Sequence, residues 1–171
     1  ISRMKVAIYS RVLDVDQQTD VQLLFDELSK LQIEVVIYQP FYNSIKSNFT
    51  LGSNISVFEN ADALDVSFDF LISLGGDGTL LDTVTLVKNK KIPVLGINFG
   101  RLGFLASIGR KELHTAVQAL INGTYVIDKR SLIHLDANRP LFNDMPYGLN
   151  EFAIHKTDTS PMIKIHTYLN G

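Results

Sequence analysis

The sequence predicts an α/β fold: an open parallel sheet flanked by helices, followed by the start of an antiparallel β region. Three observations predict it. Short β-branched runs alternate with segments of helical apolar spacing as far as about residue 123. The run Phe68–Leu74 is apolar on both sides except for Asp69 and Ser73, the pattern of a strand covered on both faces. Beyond residue 123, strand-like runs follow one another with no helical spacing between them.

Lys5–Tyr9 (KVAIY) reads as the first buried strand. Val21, Leu24, Phe25, Leu28 and Leu31 then recur at helical spacing, marking an amphipathic helix over 17–31. Ile33–Tyr38 (IEVVIY) is a second strand, and the polar stretch QPFYNSIKSNFTLGSN is expected to be a long loop with one helical turn. Phe68–Leu74 is the third strand. Leu80, Leu81, Val84 and Val87 mark a helix ending in KNKK, whose cations suit a helix C-terminus. Pro93–Asn98 (PVLGIN) is a fourth strand. Leu113, Ala116, Val117, Leu120 and Ile121 share one side of a helix over Lys111–Ile121, which Asn122-Gly123 closes. The runs TYVIDKRSLIHLDANR, LNEFAIHK and MIKIHTYLNG have strand character; in the last, Ile163, Ile165 and Leu169 alternate with Lys164, His166 and Tyr168. The expected division is 1–123 for the α/β domain and 124–171 for the beginning of a β-rich domain. Asn170-Gly171 is a preferred hairpin pair with no returning strand, so the chain is expected to be truncated there.

Charge is nearly balanced, at formal net −2, with no block of lysine or arginine, which argues against nucleic acid or an anionic membrane as the main partner. Cysteine is absent, which rules out disulfides, thiolate metal sites and a thiol nucleophile. No apolar run approaches the roughly 18–20 residues that span a bilayer. No signal peptide is legible, so a cytoplasmic location is expected. Ile1–Arg3, ahead of Met4, are expected to be foreign to the natural start, and Asn48-Phe49-Thr50 matches a glycosylation acceptor by chance. The four histidines, His114, His134, His155 and His166, have no metal-site spacing.

The chemistry concentrates in FLISLGGDGTLLDT (70–83), where an apolar strand breaks into three glycines around one acid. The dinucleotide fingerprint G-x-G-x-x-G fails, because Gly76-x-Gly78 would need glycine where Leu81 stands. The first strand is followed by SRVLD with no glycine, and no P-loop pattern is present. The sheet is therefore Rossmann-like without the dehydrogenase fingerprint. Ligands of such sheets bind at the carboxyl ends of the strands, where Gly75-Gly76-Asp77-Gly78-Thr79 falls. Gly75 and Gly76 let the backbone approach a phosphate, and the following helix start offers free N–H groups. Asp77 can hold a sugar hydroxyl and accept its proton as a phosphoryl group arrives. As a plain strand–helix turn the same residues would make Asp77 an N-cap.

A second glycine-spaced turn, GINFGRLGFL (96–105), follows the next strand. Asn98 and Gly100 can complete a pocket floor there. Phe104 offers a flat face to a base or packs in the core, and Arg101 is expected to be solvated. Asn150-Glu151, in GLNEFAIHK, could bond a base edge and paired ribose hydroxyls. Adjacent strand residues point to opposite faces, so that double contact requires a strand end or bulge; otherwise the pair is a surface loop.

Together LGGDGTLL (74–81), PVLGINFGRLGFL (93–105) and LNEFAIHK (149–156), in this order, resemble the NAD kinase family over essentially the whole chain. The first motif is shared with diacylglycerol and sphingosine kinases and phosphofructokinases; the other two are more specific. The resemblance implies transfer of phosphate from ATP or polyphosphate to the 2′-hydroxyl of the adenosine ribose of NAD, giving NADP. By it, Asp77 is the proton acceptor, Gly78 lies beside the dinucleotide, and Gly75 and Gly76 lie against donor phosphates. Phe104 matches the aromatic near the adenine, and Asn150 and Glu151 match the dinucleotide-binding pair. It further implies a divalent cation, usually Mg²⁺, and a homodimer or homotetramer. The family continues into a longer β domain with a Gly-Ser/Thr-rich motif, so the 171-residue chain alone is expected to be weak or inactive. Two other readings stay open: a lipid kinase sharing the GGDG turn, and a non-catalytic dinucleotide-binding module.

Overall fold

The computed structural model describes residues 4–11, 13–100, 103–139, 141–142, 145–157 and 162–171. The expectations for Ile1–Arg3 and Arg101 lie outside them. The described chain forms two units, Ile1–Lys129 and Arg130–Gly171.

The first unit is a parallel sheet of six strands: β1 (Lys5–Tyr9), β2 (Glu34–Tyr38), β3 (Ile55–Phe58), β4 (Phe70–Leu74), β5 (Val94–Asn98) and the two-residue β6 (Ile108–Gly109). Their spatial order is β3-β2-β1-β4-β5-β6. The chain first winds outward from β1 to one edge, then returns to the centre and winds to the other. Strand order reverses between β1 and β4, and doubly wound sheets take their ligands in the crevice outside the carboxyl ends at such a reversal. These two strands run in register, with Tyr9 opposite Ser73, and β4 pairs β5 with Leu74 opposite Ile97.

Helices cover both faces. On one, α1 (Gln18–Lys30) buries Val21, Leu24, Phe25 and Leu28, α2 (Gln39–Ile45) buries Phe41 and Ile45, and α4 (Leu113–Asn122) buries Leu113, Val117 and Leu120. They pack on Val6, Ile8, Val35, Ile37, Ile72, Leu74 and Ile97 from the sheet. The opposite face is smaller and joins Ala7, Tyr9, Val36 and Leu71 to Leu86 of α3 (Asp77–Val87). Both faces of β4 are therefore apolar, as its sequence requires: every one of its residues is buried.

Several details differ from the sequence expectation. The polar segment after β2 holds a two-turn helix, α2, because Pro40 stands in its first turn, where no N–H is needed. Ile55–Phe58 forms an edge strand that periodicity missed, since only Phe58 of its four residues is buried. Leu31 is the C-cap of α1 and is 40% exposed, outside the apolar stripe it was expected to extend. In α3 the buried positions are Thr79, Thr83 and Leu86, not the set Leu80, Leu81, Val84 and Val87 that marked the helix. The helix ends at Val87, so the KNKK cations follow it. Gly123 closes α4 in the left-handed region, at φ +66°, as expected.

In the second unit the regular structure is one antiparallel pair, β7 (Ile133–His134) with β8 (Tyr147–Gly148). The alternating segment around Ile163 and Ile165 forms no ladder among the described residues, and both side chains are exposed. Alternation marks a potential strand, but a strand exists only through pairing. Asn170 and Gly171 both adopt positive φ, the conformation that hairpin pairs require.

Replacing Phe25, 2% exposed against Phe49, by alanine is expected to cost about 3–5 kcal/mol of stability. Leu31→Ala, at the C-cap of the same helix, should change stability by no more than about 0.5 kcal/mol. Urea denaturation of the two variants checks the orientation of α1.

Candidate functional site

At the end of β4 the chain enters α3 through Gly75 and Gly76. Gly75 has φ +149°, and a Cβ there would lie 2.4 Å from Thr79 Oγ1. Only glycine satisfies both the backbone and the space, so the turn brings the buried Thr79 against its own backbone. Gly75 N–H donates to Ile97 O at 2.9 Å, tying the turn to β5. Gly76 is the N-cap of α3, and nothing lies within 4 Å of where its Cβ would be. Asp77 is the first residue of the helix and Gly78 the second.

The Asp77 carboxylate joins the two glycine turns. Its Oδ2 accepts from Phe104 N–H at 2.7 Å, and its Oδ1 accepts from Leu105 N–H at 3.0 Å and Ala106 N–H at 2.8 Å. The Ala106 and Phe104 amides, with a smaller contribution from Leu105, hold its pKa below the usual carboxylate range against the opposing effect of desolvation. The approach is so close that a Cβ on Gly103 would lie 2.1 Å from Asp77 Oδ1. Gly103 is thus the residue that lets the loop reach the acid. Sequence reading passed over it; its signal was the second glycine of the FGRLG spacing.

Asn98 ends β5 and is buried. Its Oδ1 accepts from Gly100 N–H at 2.9 Å and its Nδ2 donates to Ala106 O at 3.3 Å, so it shapes the same loop from within. Phe104 is not a core residue. Its ring is 93% exposed, while its backbone is fastened to Asp77. The first unit therefore brings Gly75, Gly76, Asp77, Gly78, Asn98 and Phe104 together at the carboxyl ends of β4 and β5. Asn150 and Glu151 belong to the second unit, where both are exposed in irregular backbone just after β8. That is a strand end, the setting in which neighbouring side chains can converge.

Sequence reading also missed a cluster at the end of β1. Ser10 Oγ donates to Leu74 O at 2.8 Å, binding the ends of β1 and β4 together. Arg11 follows and forms a two-pronged ion pair with Asp82 of α3, through Nε to Oδ2 and through Nη2 to Oδ1 at 2.6 Å. Tyr9 Oη donates to Asp82 Oδ2 at 2.9 Å. Burial, then the adjoining Asp82 carboxylate, push the Tyr9 phenol up, so it remains a donor throughout the neutral range. Arg11 could be singled out only once β1 was known to lie beside β4. Among the described residues there is no group of three or more histidines and acids able to hold a metal, and no helix long and apolar enough to cross a membrane.

Comparison with known proteins adds three findings. The family model of the ATP-NAD kinase N-terminal domain matches residues 16–125. The NAD kinase of Cytophaga hutchinsonii is 40% identical over 169 residues, covering 98% of this chain and 58% of that protein. The NAD kinases of Flavobacterium psychrophilum and Bacteroides fragilis are 38% and 36% identical, again over 98% of this chain and 58% and 57% of theirs. The chain thus spans under two thirds of the length of the curated relatives it matches. In fold it is similar to a crystal structure of yeast NADH kinase complexed with NADH, with TM-score 0.64 and 24% identity over 81% of this chain and 45% of that one.

Two outcomes check the Asp77 anchor. A carboxylate whose folded pKa is depressed contributes its stabilisation in full above the unfolded value of about 3.9, and loses it as pH falls through the lower folded value. The amide resonances of Phe104, Leu105 and Ala106 should therefore hold steady from neutral pH down to about 4 and shift together below it. Gly103→Ala should break these bonds and return the Asp77 titration towards the ordinary range, read by carboxyl ¹³C NMR.

Proposed function

Because the chain belongs to the NAD kinase family, we propose that it provides the glycine–acid turn of an enzyme making NADP by phosphoryl transfer from ATP or polyphosphate to the 2′-hydroxyl of the adenosine ribose of NAD. The observation that carries this reading is the position of that turn, at the strand reversal between β1 and β4, with an ionised Asp77 held there by the next loop.

A carboxylate has about four acceptor positions. Three of those on Asp77 are filled by amides, two at Oδ1 and one at Oδ2. The position left on Oδ2 is suited to one hydroxyl. In this mechanism the ribose 2′-hydroxyl donates to Asp77 Oδ2 and is thereby aimed at the donor. The amides make Asp77 a weak base, which suffices for a loose phosphoryl transition state, where the proton is released as the new O–P bond forms. Gly76, with Gly75 beside it, leaves its backbone open to the donor phosphates, and the first turn of α3 offers its free N–H groups to them. The exposed Phe104 ring offers a stacking face for the adenine, and Gly78 lies beside the dinucleotide. Asn98 acts through the loop it shapes. Asn150 and Glu151 complete dinucleotide recognition, the amide at the base and the acid at ribose hydroxyls.

The divalent cation, Mg²⁺ by family, fits a site made chiefly of the donor's own phosphate oxygens, since Asp77 and Asp82 already serve amides and Arg11. When bound it would neutralise charge on the transferring group. Cytoplasmic location and a homo-oligomeric state, dimer or tetramer, belong to the same reading. With 58% of its relatives' length, the 171-residue chain alone should turn over weakly or not at all.

The complete gene product, incubated with labelled ATP and either NAD or diacylglycerol, should label NADP alone. Labelled phosphatidate would replace this reading with a lipid kinase, and binding of NAD without turnover would replace it with a sensor. Asp77→Asn should lower turnover by about 10²–10⁴-fold while NAD affinity, read by calorimetry, changes far less. An Asp77→Asn enzyme of normal activity would remove the proton-acceptor role.

A further inference from the structure

We propose that Arg11 is a phosphate ligand of the site: its guanidinium, clamped by Asp82 at the mouth of the crevice between β1 and β4, takes a phosphate oxygen of the bound nucleotide. The proposal rests on the kinase reading above and extends it to a residue outside all three glycine and amide motifs.

Position is the first argument. The strand reversal gives the crevice two lips, the residues after β1 and the residues after β4. The β4 lip is the glycine–acid turn. The β1 lip is Ser10-Arg11, fastened to it by the buried bond from Ser10 Oγ to Leu74 O. Arg11 Nη2 stands 3.4 Å from Gly78 O, and Nη1 would lie 3.6 Å from a Cβ on Gly78. The guanidinium therefore lies along the first turn of α3.

Preorganisation is the second. Asp82 engages Nε and Nη2 in a fork, and the buried Tyr9 hydroxyl holds Asp82 in turn. The bonds to Asp82 and to Gly78 O thus fall on Nε and Nη2, and Nη1 is the nitrogen beside the Cβ position of Gly78. An ion pair this exposed, with the Arg11 side chain at 58%, adds little to stability. A cation beside a helix N-terminus also opposes the helix dipole. The dipole cost is offset when an anion occupies the crevice, because guanidinium and free helix N–H groups then face the same charge. A fork geometry already fixed by its carboxylate loses little further freedom on binding phosphate.

Donor and dinucleotide both carry phosphates, and the experiment separates them. In the complete gene product, affinities for Mg·ATP, for inorganic tripolyphosphate and for NAD are measured by calorimetry for wild type, Arg11→Ala and Arg11→Lys. Loss of one charge-assisted contact should weaken one ligand by about ten- to a hundredfold in Arg11→Ala. Arg11→Lys should recover part of that loss, and melting temperatures should be unchanged. Weakening of ATP and tripolyphosphate assigns Arg11 to the donor; weakening of NAD alone assigns it to the dinucleotide. Unchanged affinities, or a lowered melting temperature with all ligands weakened equally, overturn the proposal. If the wild-type protein binds tripolyphosphate but forms no NADP, the kinase reading fails, and an Arg11→Ala variant that loses tripolyphosphate still upholds the phosphate contact. A wild-type protein that binds none of the three overturns both.

Discussion

One carboxylate holds the site together. Asp77 gathers three amides from the loop after β5, and without that bond the two glycine turns would be separate pieces of surface. The arrangement uses charge economically. A negative group at the first residue of α3 is favoured by the helix dipole, and the converging N–H groups supply the rest of its solvation. The same three bonds that keep it ionised fill two acceptor positions on Oδ1 and one on Oδ2.

This explains why glycine recurs around the acid. Gly103 must lack a Cβ because the carboxylate occupies its place, and Gly75 must lack one because Thr79 does. The two turns interlock through atoms that other residues would have separated. Phe104 is the consequence at the surface: with its backbone captured by Asp77, its ring has no core to enter and stands in solvent at the edge of the crevice.

The helix that starts at Asp77 is also held from the other side. Asp82, one turn along, receives Arg11 and Tyr9 from β1, so α3 is tied to the loops after both neighbouring strands. Its buried face carries Thr79 and Thr83 where an ordinary amphipathic helix would carry leucine. Small side chains let the helix start lie close to the turn it caps. That close fit is the reason apolar spacing misjudged which face of α3 is buried.

Sequence by itself determined the alternation of strands and helices, because burial on both faces of a parallel sheet demands the short, largely apolar runs that Lys5–Tyr9 and Phe70–Leu74 display. It determined the glycine–acid turn too, since Gly75 stands at a φ and in a space that only glycine tolerates. It could not reveal the edge strand Ile55–Phe58, which buries too little to impose a pattern, nor whether the segment around Ile163 would pair, since pairing depends on a partner. Only the tertiary structure decided which strand lies beside which. Strand order arises from long-range packing and leaves no local trace in composition or period. From that order alone come the crevice between β1 and β4, the capture of the 103–106 loop by Asp77, and the placing of Arg11, an unremarked cation in SRVLD, at the lip of the site.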